Sequence, residues 1–426
     1  MVSVMQPAEM PPEIYVEREL EREISRYLRS REIIAVVGAR QCGKTTMINN
    51  ILGRLKKQGK KINSISFDDQ KILELFENDI DSFIDLHVNG FDILFIDEVH
   101  YSEDSGKKLK YIYDNHDIKI FISGSSAAEI SIHSLKYLVG RIFTFTLYPF
   151  SFREFLSAKN PKLVNLYGTG RYKEGIIKEL NNHLKEFLLY GGYPRVVLAK
   201  TKKEKKKILE NIFNIYLLKE IREILDLSKD YRLMSLLKAL SLQIGNIVNY
   251  NELSRLTGYP YYELKKYLNI LEKTYVCNLI MPFFTNKRTE LVKNPKVYFI
   301  DAGFRNICID NFSEERSDMG SLYENFVFSE LIKKHGKVKF WNTKSKAEVD
   351  FIVESGGKII PIEIKANASE AKTTKSFNSF IKKYRPKEGY FLSLGFEGKG
   401  NISNCRIDFL PFVKFSGNTM AKILEP

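Results

Sequence analysis

Five short apolar runs punctuate the first third of the chain, and most end on a small or polar residue. They are IIAVVG (33–38), KINSISF (61–67), FDILFID (91–97), IKIFISG (118–124) and IFTFTLY (142–148). Runs this rich in β-branched and aromatic residues, separated by helix-length stretches, predict parallel strands buried between helices. The expected fold is therefore a doubly wound α/β sheet. VERELEREISRYLRS (16–30) carries helical charge pairing and leads into the first strand. After YPFSFREFL (148–156) the pattern changes to long helical segments over 157–235. Residues 239–283 predict two short helices around a Thr-Gly-Tyr-Pro turn and then a strand pair, a helix-turn-helix with a wing in outline. From about residue 320, the helical GSLYENFVFSELIKKHG precedes strands and a further helix, an α+β module. No internal repeat or low-complexity linker interrupts this order.

Length and composition fit that picture. A chain of 426 residues with 44% hydrophobic and 28% charged residues suits two or three globular domains. No apolar run approaches the ~18–20 residues that cross a bilayer, and MVSVMQPAEMPPE lacks the basic flank and apolar core of a secretory leader. Cys42, Cys277, Cys308 and Cys405 lie far apart without metal-ligand spacing. Unpaired thiols in a reducing cytoplasm are expected, with no membrane association. Charge is uneven. Residues 1–150 hold 19 of the 66 Lys+Arg and 22 of the 52 Asp+Glu, a balance of −3, which leaves +17 for the remainder. Clustered basic residues suit nucleic acid. A lysine-rich solvated face, as in TKKEKKKILEN (201–211), explains them equally well.

Chemistry enters with GARQCGKT (38–45), which fits the phosphate-loop pattern G-x-x-x-x-G-K-[ST] between a predicted strand and helix. The cradle expected to bind nucleotide is Gly38, Ala39, Arg40, Gln41, Cys42, Gly43, Lys44, Thr45 and Thr46. Its glycines let backbone amides turn toward phosphates, and the following helix aims its positive end there. Lys44 would reach the β- and γ-phosphates, and Thr45 would ligate Mg²⁺. FDILFIDEVH (91–100) ends an apolar strand in Asp97, beside that metal, and Glu98, which would polarise the attacking water. Ser123, ending IKIFIS, would contact the γ-phosphate or water.

The order of phosphate loop, DE-ended strand and Ser-ended strand resembles AAA-type ATPases. GARQCGKTT, LFIDEVH, FISGSS, LVGR and LYPFSFREF are similar to a prokaryotic family of such ATPases with an uncharacterised C-terminal domain. The resemblance implies ATP and Mg²⁺ as cofactors and an arginine acting on the γ-phosphate, often from a neighbouring subunit. Arg141 in LVGR is the matching residue, with Arg153 behind it, and action in trans would require a homo-oligomer. Either arginine also fits an ordinary surface role. GGYP (191–194) matches the family too, and most simply makes a tight turn. The expected divisions are 1–156 for a P-loop AAA-type ATPase core, 157–235 for a helical lid, 236–290 for a winged-helix segment and 291–426 for a C-terminal α+β module. In the winged-helix segment, residues around Tyr261–Lys266 would form a recognition helix with Lys265 and Lys266 near phosphates. Such folds also dock proteins.

In AEVDFIVESGGKIIPIEIK (347–365), both halves alternate with period two. A two-residue Gly356-Gly357 turn pairs Ser355 with Lys358, Phe351 with Ile362 and Val353 with Ile360, so the apolar faces coincide. Continued, that register sets Asp350 opposite Glu363 and Glu348 opposite Lys365. Facing carboxylates repel and need a cation, supplied either by Lys365 or by a divalent metal. Asp…Glu-x-Lys on adjacent strands resembles PD-(D/E)xK nucleases, whose preceding helix carries another acid; Glu324 and Glu330 match that place. The resemblance implies a metal held by Glu324, Asp350 and Glu363, with Lys365 stabilising developing charge. The expected function is an ATPase whose nucleotide state controls a DNA-binding, nuclease-like module, DNA being favoured over RNA. The alternative is an ATP-gated switch for a protein partner with a catalytically silent C-terminal domain.

Overall fold

The computed structural model of this chain describes residues 15–124, 135–167, 172–214, 221 and 231–420. All five N-terminal strands form: β1 (Ile33–Gly38), β2 (Ile62–Ser66), β3 (Ile93–Asp97), β4 (Lys119–Ser123) and β5 (Ile142–Leu147). They make one parallel sheet in the order β2-β3-β4-β1-β5. Strand alternation divides its apolar side chains between two cores. Ile33, Ala35, Leu94, Ile96, Ile120 and Ile122 pack under α3 (Gln70–Asn78), α4 (Ile80–His87) and α5 (Ser105–Asn115). Ile34, Val36, Phe95 and Phe121 pack against Met47, Ile48, Ile51 and Leu52 of α2 (Lys44–Lys57) and Ile24 of α1 (Glu19–Ser25). Burying each such side chain stabilises the fold by about 1.5–3 kcal/mol, and this two-sided burial explains why the runs read as continuously apolar.

Beyond β5, Ser151 caps α6 (Phe152–Lys159), its hydroxyl accepting the Glu154 N–H while Glu154 accepts the Ser151 N–H. This capping box satisfies two otherwise orphaned donors. Phe152 lies 5.6 Å from Phe187 on α7 (Glu174–Tyr190) and 5.7 Å from Phe326 on α13 (Met319–His335). The helical, helix-turn-helix and C-terminal regions thus share one apolar cluster running from Val16 and Phe150 to Met420.

α10 (Tyr250–Thr257) and α11 (Tyr261–Lys273) form the expected helix pair around Gly258–Pro260. β6 (Cys277–Ile280) then pairs antiparallel with β7 (Lys296–Phe299), whose four residues are all buried. β7 lies past residue 290 and so outside the expected winged-helix segment. Residues between the strands are anchored, since Pro282 bridges to Phe340 and Phe283 packs with Trp341 and Phe380. β7 is thus fully buried and β6 half-buried beside it.

The C-terminal sheet has six strands in the order β12-β13-β11-β10-β9-β8. They are β8 (Lys339–Asn342), β9 (Glu348–Ser355), β10 (Lys358–Ile364), β11 (Glu388–Ser393), β12 (Gly398–Ile402) and β13 (Cys405–Pro411). β10 and β11 are parallel, joined through α14 (Lys375–Tyr384), because parallel neighbours need a crossover. β9 and β10 pair in the expected register, from Lys358 with Ser355 to Ile362 with Phe351. Gly356 and Gly357 have φ of 54° and 74°, the left-handed pair that a type I′ turn requires.

That register stops at Phe351. Against β8, Ile352 pairs with Lys339 but Val349 pairs with Trp341, so β9 holds one extra residue there. A bulge at Asp350 and Phe351 re-aims the following side chains, and Val349 joins the core on the opposite face from Phe351. The expected Asp350–Glu363 and Glu348–Lys365 pairs are therefore not made as ladder partners.

Candidate nucleotide site and acidic cluster

The phosphate loop connects the end of β1 to the start of α2, with Gly43 as the cap residue. Lys44 Nζ donates to the Gly38 and Ala39 carbonyls at 3.0 Å each. Thr45 Oγ1 donates to Asp97 Oδ2 at 2.8 Å, and the Ser123 hydroxyl donates to Asp97 Oδ1. Ser123 thus holds Asp97 directly. Glu98 has φ 51°, a left-handed conformation unusual for a non-glycine residue, and its Oε2 lies 3.1 Å from His100 Nδ1. Burial would raise the Glu98 carboxyl, but His100, Lys44 and Arg40 outweigh it and hold it below the usual range.

A cavity of about 500 Å³ opens over the loop. Arg40, Gln41, Gly43, Lys44, Thr45, Thr46 and Glu98 line one side of it; Cys42 is buried beneath. The other walls, which sequence reading missed, come from Tyr15, Val16, Arg18, Phe150, Pro194, Arg195 and Leu198. Arg18 is buried: its guanidinium donates to the Cys42 carbonyl at 2.7 Å and the Tyr148 carbonyl at 2.6 Å, and pairs with Glu154 at 3.0 Å. An exposed threonine hydroxyl on a carboxylate, beside an ammonium held by loop carbonyls at a helix N-terminus, fits a nucleotide with Mg²⁺. Arg141 lies outside this cavity, forked onto Asp114 at 2.8 and 3.2 Å.

The GGYP turn explains how Pro194 and Arg195 reach the loop. Gly191 has φ 74°, and a Cβ there would sit 2.1 Å from Asp301 Oδ1; one on Gly192 would sit 2.4 Å from the Phe150 carbonyl. Only glycine permits this approach. Gly192 donates its N–H to Asp301 Oδ2 at 2.7 Å and accepts from Phe150 N at 2.7 Å. Asp301 also caps α12 (Ala302–Cys308) and lies two residues after β7. The signal was present in the sequence as two adjacent glycines before a proline, but its distant partner was not.

At the other end of β7 stands the acidic cluster. Lys296 Nζ, on a side chain only 2% exposed, lies 2.5 Å from Glu348 Oε1 and 3.5 Å from Glu324 Oε1. Tyr298 donates its hydroxyl to Glu324 Oε1. Asp350 Oδ2 accepts the Ile364 N–H at 2.7 Å. Lys365 pairs with Glu363 at 3.3 Å, not with Glu348, and Thr374 also donates to Glu363. Burial pushes Glu324 up to about 7, with Lys296 opposing, and Glu363 up to about 8, reinforced by Asp350. Burial likewise raises Asp350. Glu330 is elsewhere, buried against α6 and accepting the Phe152 N–H at 3.1 Å. The expected metal ligands Glu324, Asp350 and Glu363 do not fit a metal as arranged. Among the described residues no three His, Cys, Asp or Glu side chains are placed to hold one. The cations beside these acids are Lys296 and Lys365. Lys296 and Tyr298 were missed because a buried strand 50 residues upstream carries no nuclease motif.

Residues 30–156 match the family described as an AAA domain. The first unit, a parallel five-strand sheet with its phosphate loop, resembles an AAA-type P-loop core. Residues 181–315 and 319–411 match two domains of unknown function, DUF8612 and DUF4143. An uncharacterized protein of Methanocaldococcus jannaschii is 26% identical over 426 residues, covering 93% of this chain and 91% of that protein. One from Haemophilus influenzae is 26% identical over 350 residues, covering 78% and 82%. Among solved structures, AMPPCP-bound DnaA from Aquifex aeolicus is 16% identical, with a TM-score of 0.29 over 61% of this chain and 88% of that one. Aeropyrum pernix ORC1 in complex with DNA is 12% identical, with a TM-score of 0.31 over 70% and 94%. Scores this low bear on no functional point. Among the described residues no helix is long and apolar enough to cross a membrane.

Proposed function

We propose that this chain binds ATP with Mg²⁺, hydrolyses it, and uses the nucleotide state to control a DNA-binding, nuclease-like C-terminal module. One observation carries the reading. The wall of the nucleotide cavity at Pro194–Arg195 continues through Gly192 to Asp301, and Asp301 follows the strand that brings Lys296 into the acidic cluster. Lys44 exchanges its loop carbonyls for phosphate oxygens. Thr45 and Asp97 would hold Mg²⁺, which supplies charge neutralisation at the phosphates. Glu98, released from His100, orients the attacking water.

The exposed side chains of Tyr261, Tyr262, Lys265 and Lys266 at the start of α11 are the DNA-facing candidates, consistent with the +17 balance beyond residue 150. Helix α13 with Glu324, the β9–β10 hairpin and the α14 crossover support the nuclease-like likeness. A homo-oligomer would place Arg141 against a neighbour's nucleotide, after it leaves Asp114. The four cysteines are all unpaired and buried, in keeping with a cytoplasmic setting.

Lys296 favours a second reading, in which the C-terminal module is catalytically silent and the nucleotide state gates a protein partner. Duplex binding measured by fluorescence anisotropy with ATP, with ADP and at rising salt separates the two. We expect salt-sensitive binding that differs between nucleotides. Equal affinity in both states removes the control step, and no binding at low salt moves the reading to a protein partner.

A further inference from the structure

The acidic cluster has the shape of a cation site with a cation already in it. Glu324 comes from α13, Glu348 and Asp350 from β9, and Lys296 from β7, so three elements converge here: the ammonium contacts Glu324 and Glu348, and the Asp350 carboxyl feels its charge. Lys296 is 1% exposed and its neighbours on β7 are buried on both sides. The strand is fixed at its far end by Asp301 on Gly192 and at its near end by a bridge from Lys296 to Ile247. The anchored strand and the burial of its side chain hold the ammonium among these carboxylates. Glu324 and Glu348 each present an oxygen to it at 3.5 and 2.5 Å, so those oxygens are at most 6.0 Å apart. Glu348 is 39% exposed and on a long side chain, free to close that gap onto a smaller ion. Glu363, the remaining acid of the expected metal set, takes its own cation from Lys365 at 3.3 Å, so it does not share the Lys296 ammonium.

We propose that the Lys296 ammonium is the resident cation of the Glu324–Glu348–Asp350 cluster, standing where a divalent ion would bind and excluding it. The inference rests on the nuclease-like reading of the C-terminal module and deepens it: as folded, the module engages its ligand without metal-dependent cleavage. An ammonium and a divalent ion compete for the same carboxylate oxygens. A fixed internal amine is present at an effective concentration no free Mg²⁺ or Mn²⁺ can match. Removing the amine leaves three acids with only the more distant Lys365 to offset them, a surplus that a divalent ion relieves.

The test is calorimetric Mn²⁺ titration of the full chain without nucleotide, with Asp350→Asn as the control that assigns any heat to this cluster. The parent is expected to show no Asp350-dependent binding, and Lys296→Met to gain one site, with affinity raised by at least about tenfold. Lys296→Gln, which keeps a polar head in the cluster, serves where Lys296→Met loses its fold by circular dichroism. Asp350-dependent Mn²⁺ binding in the parent overturns the proposal. So does a folded Lys296 variant that gains no site. Duplex binding of the parent in EDTA is measured beside it: its absence removes the DNA reading while leaving the Mn²⁺ result to stand on its own.

Discussion

Asp97 closes an apolar strand and Asp350 interrupts an alternating one, yet one meets a hydroxyl and the other lies within reach of a buried amine's charge. Around Asp97, every partner of its side chain comes from the first turn of α2 or from a strand end of the same sheet: Thr45 at 2.8 Å, Ser123, and Glu98 next in the chain. The cavity stays open and the loop lysine rests on carbonyls it can exchange. Asp350 accepts the Ile364 N–H, and the cation whose charge acts on it, Lys296, arrives from 54 residues away on a fully buried strand, paired with Glu348. An acid pair is thus a ligand site only where the fold leaves the cation position to a ligand. The first site is built to load and release; the second is already neutralised from within.

Four variants would break or sharpen that contrast. Lys44→Ala should reduce ATP hydrolysis by about a thousandfold, or ~4 kcal/mol of barrier, with the melting temperature of the nucleotide-free protein little changed; phosphate release measures it, and surviving hydrolysis removes the proposed site. Lys296→Met should destabilise the protein by about 3 kcal/mol at pH 8, since removing one partner strands buried charge. At pH 6 the loss should be smaller, because Glu324 takes up a proton near pH 7. Thermal unfolding at the two pH values checks both, and an equal loss at each would detach Lys296 from Glu324. Glu98→Gln should cost about a hundredfold in hydrolysis, ~2.7 kcal/mol, while ATP binding is retained; a variant as fast as the parent would transfer the water-orienting role elsewhere.

The smallest effect comes from Glu363. Its folded pKa of about 8 lies above the ordinary 4.5, so the folded state binds the extra proton between those values. Stability from this group is therefore full below about pH 4.5 and declines as pH rises toward 8. Glu363→Gln removes that decline. Its melting temperature should match the parent's near pH 5 and exceed it by about 2–4 °C at pH 8.5. A gain that is the same at both pH values would show that the carboxyl's charge is not the cause.

The nucleotide unit was legible because its chemistry is local. Gly38 to Thr46 is one loop, Asp97 and Glu98 end one strand, and two-sided burial imprints itself as apolar runs. The β9–β10 register was legible as far as Phe351, since alternation and the Gly-Gly turn agree. It failed at Asp350 because a bulge leaves no mark in a period-two pattern: Val349, Phe351 and Val353 alternate cleanly in sequence yet pack on different faces. The role of GGYP was hidden for a different reason. Two glycines announce close approach, but Asp301, which approaches them, lies 109 residues on.

The amino-acid sequence alone determined the parallel sheet, the phosphate loop with its two acids, the helix pair at 250–273 and the hairpin turn. All of these depend on residues within a few positions of one another. Tertiary structure decided what stands beside each acid. It placed Arg18, Pro194 and Arg195 around the loop, tied Arg141 to Asp114, sent Glu330 away from Glu324 and drove Lys296 into the acidic cluster. Periodicity encodes which face a side chain takes, whereas the counterion of a buried carboxylate is chosen by whichever distant strand the core brings against it.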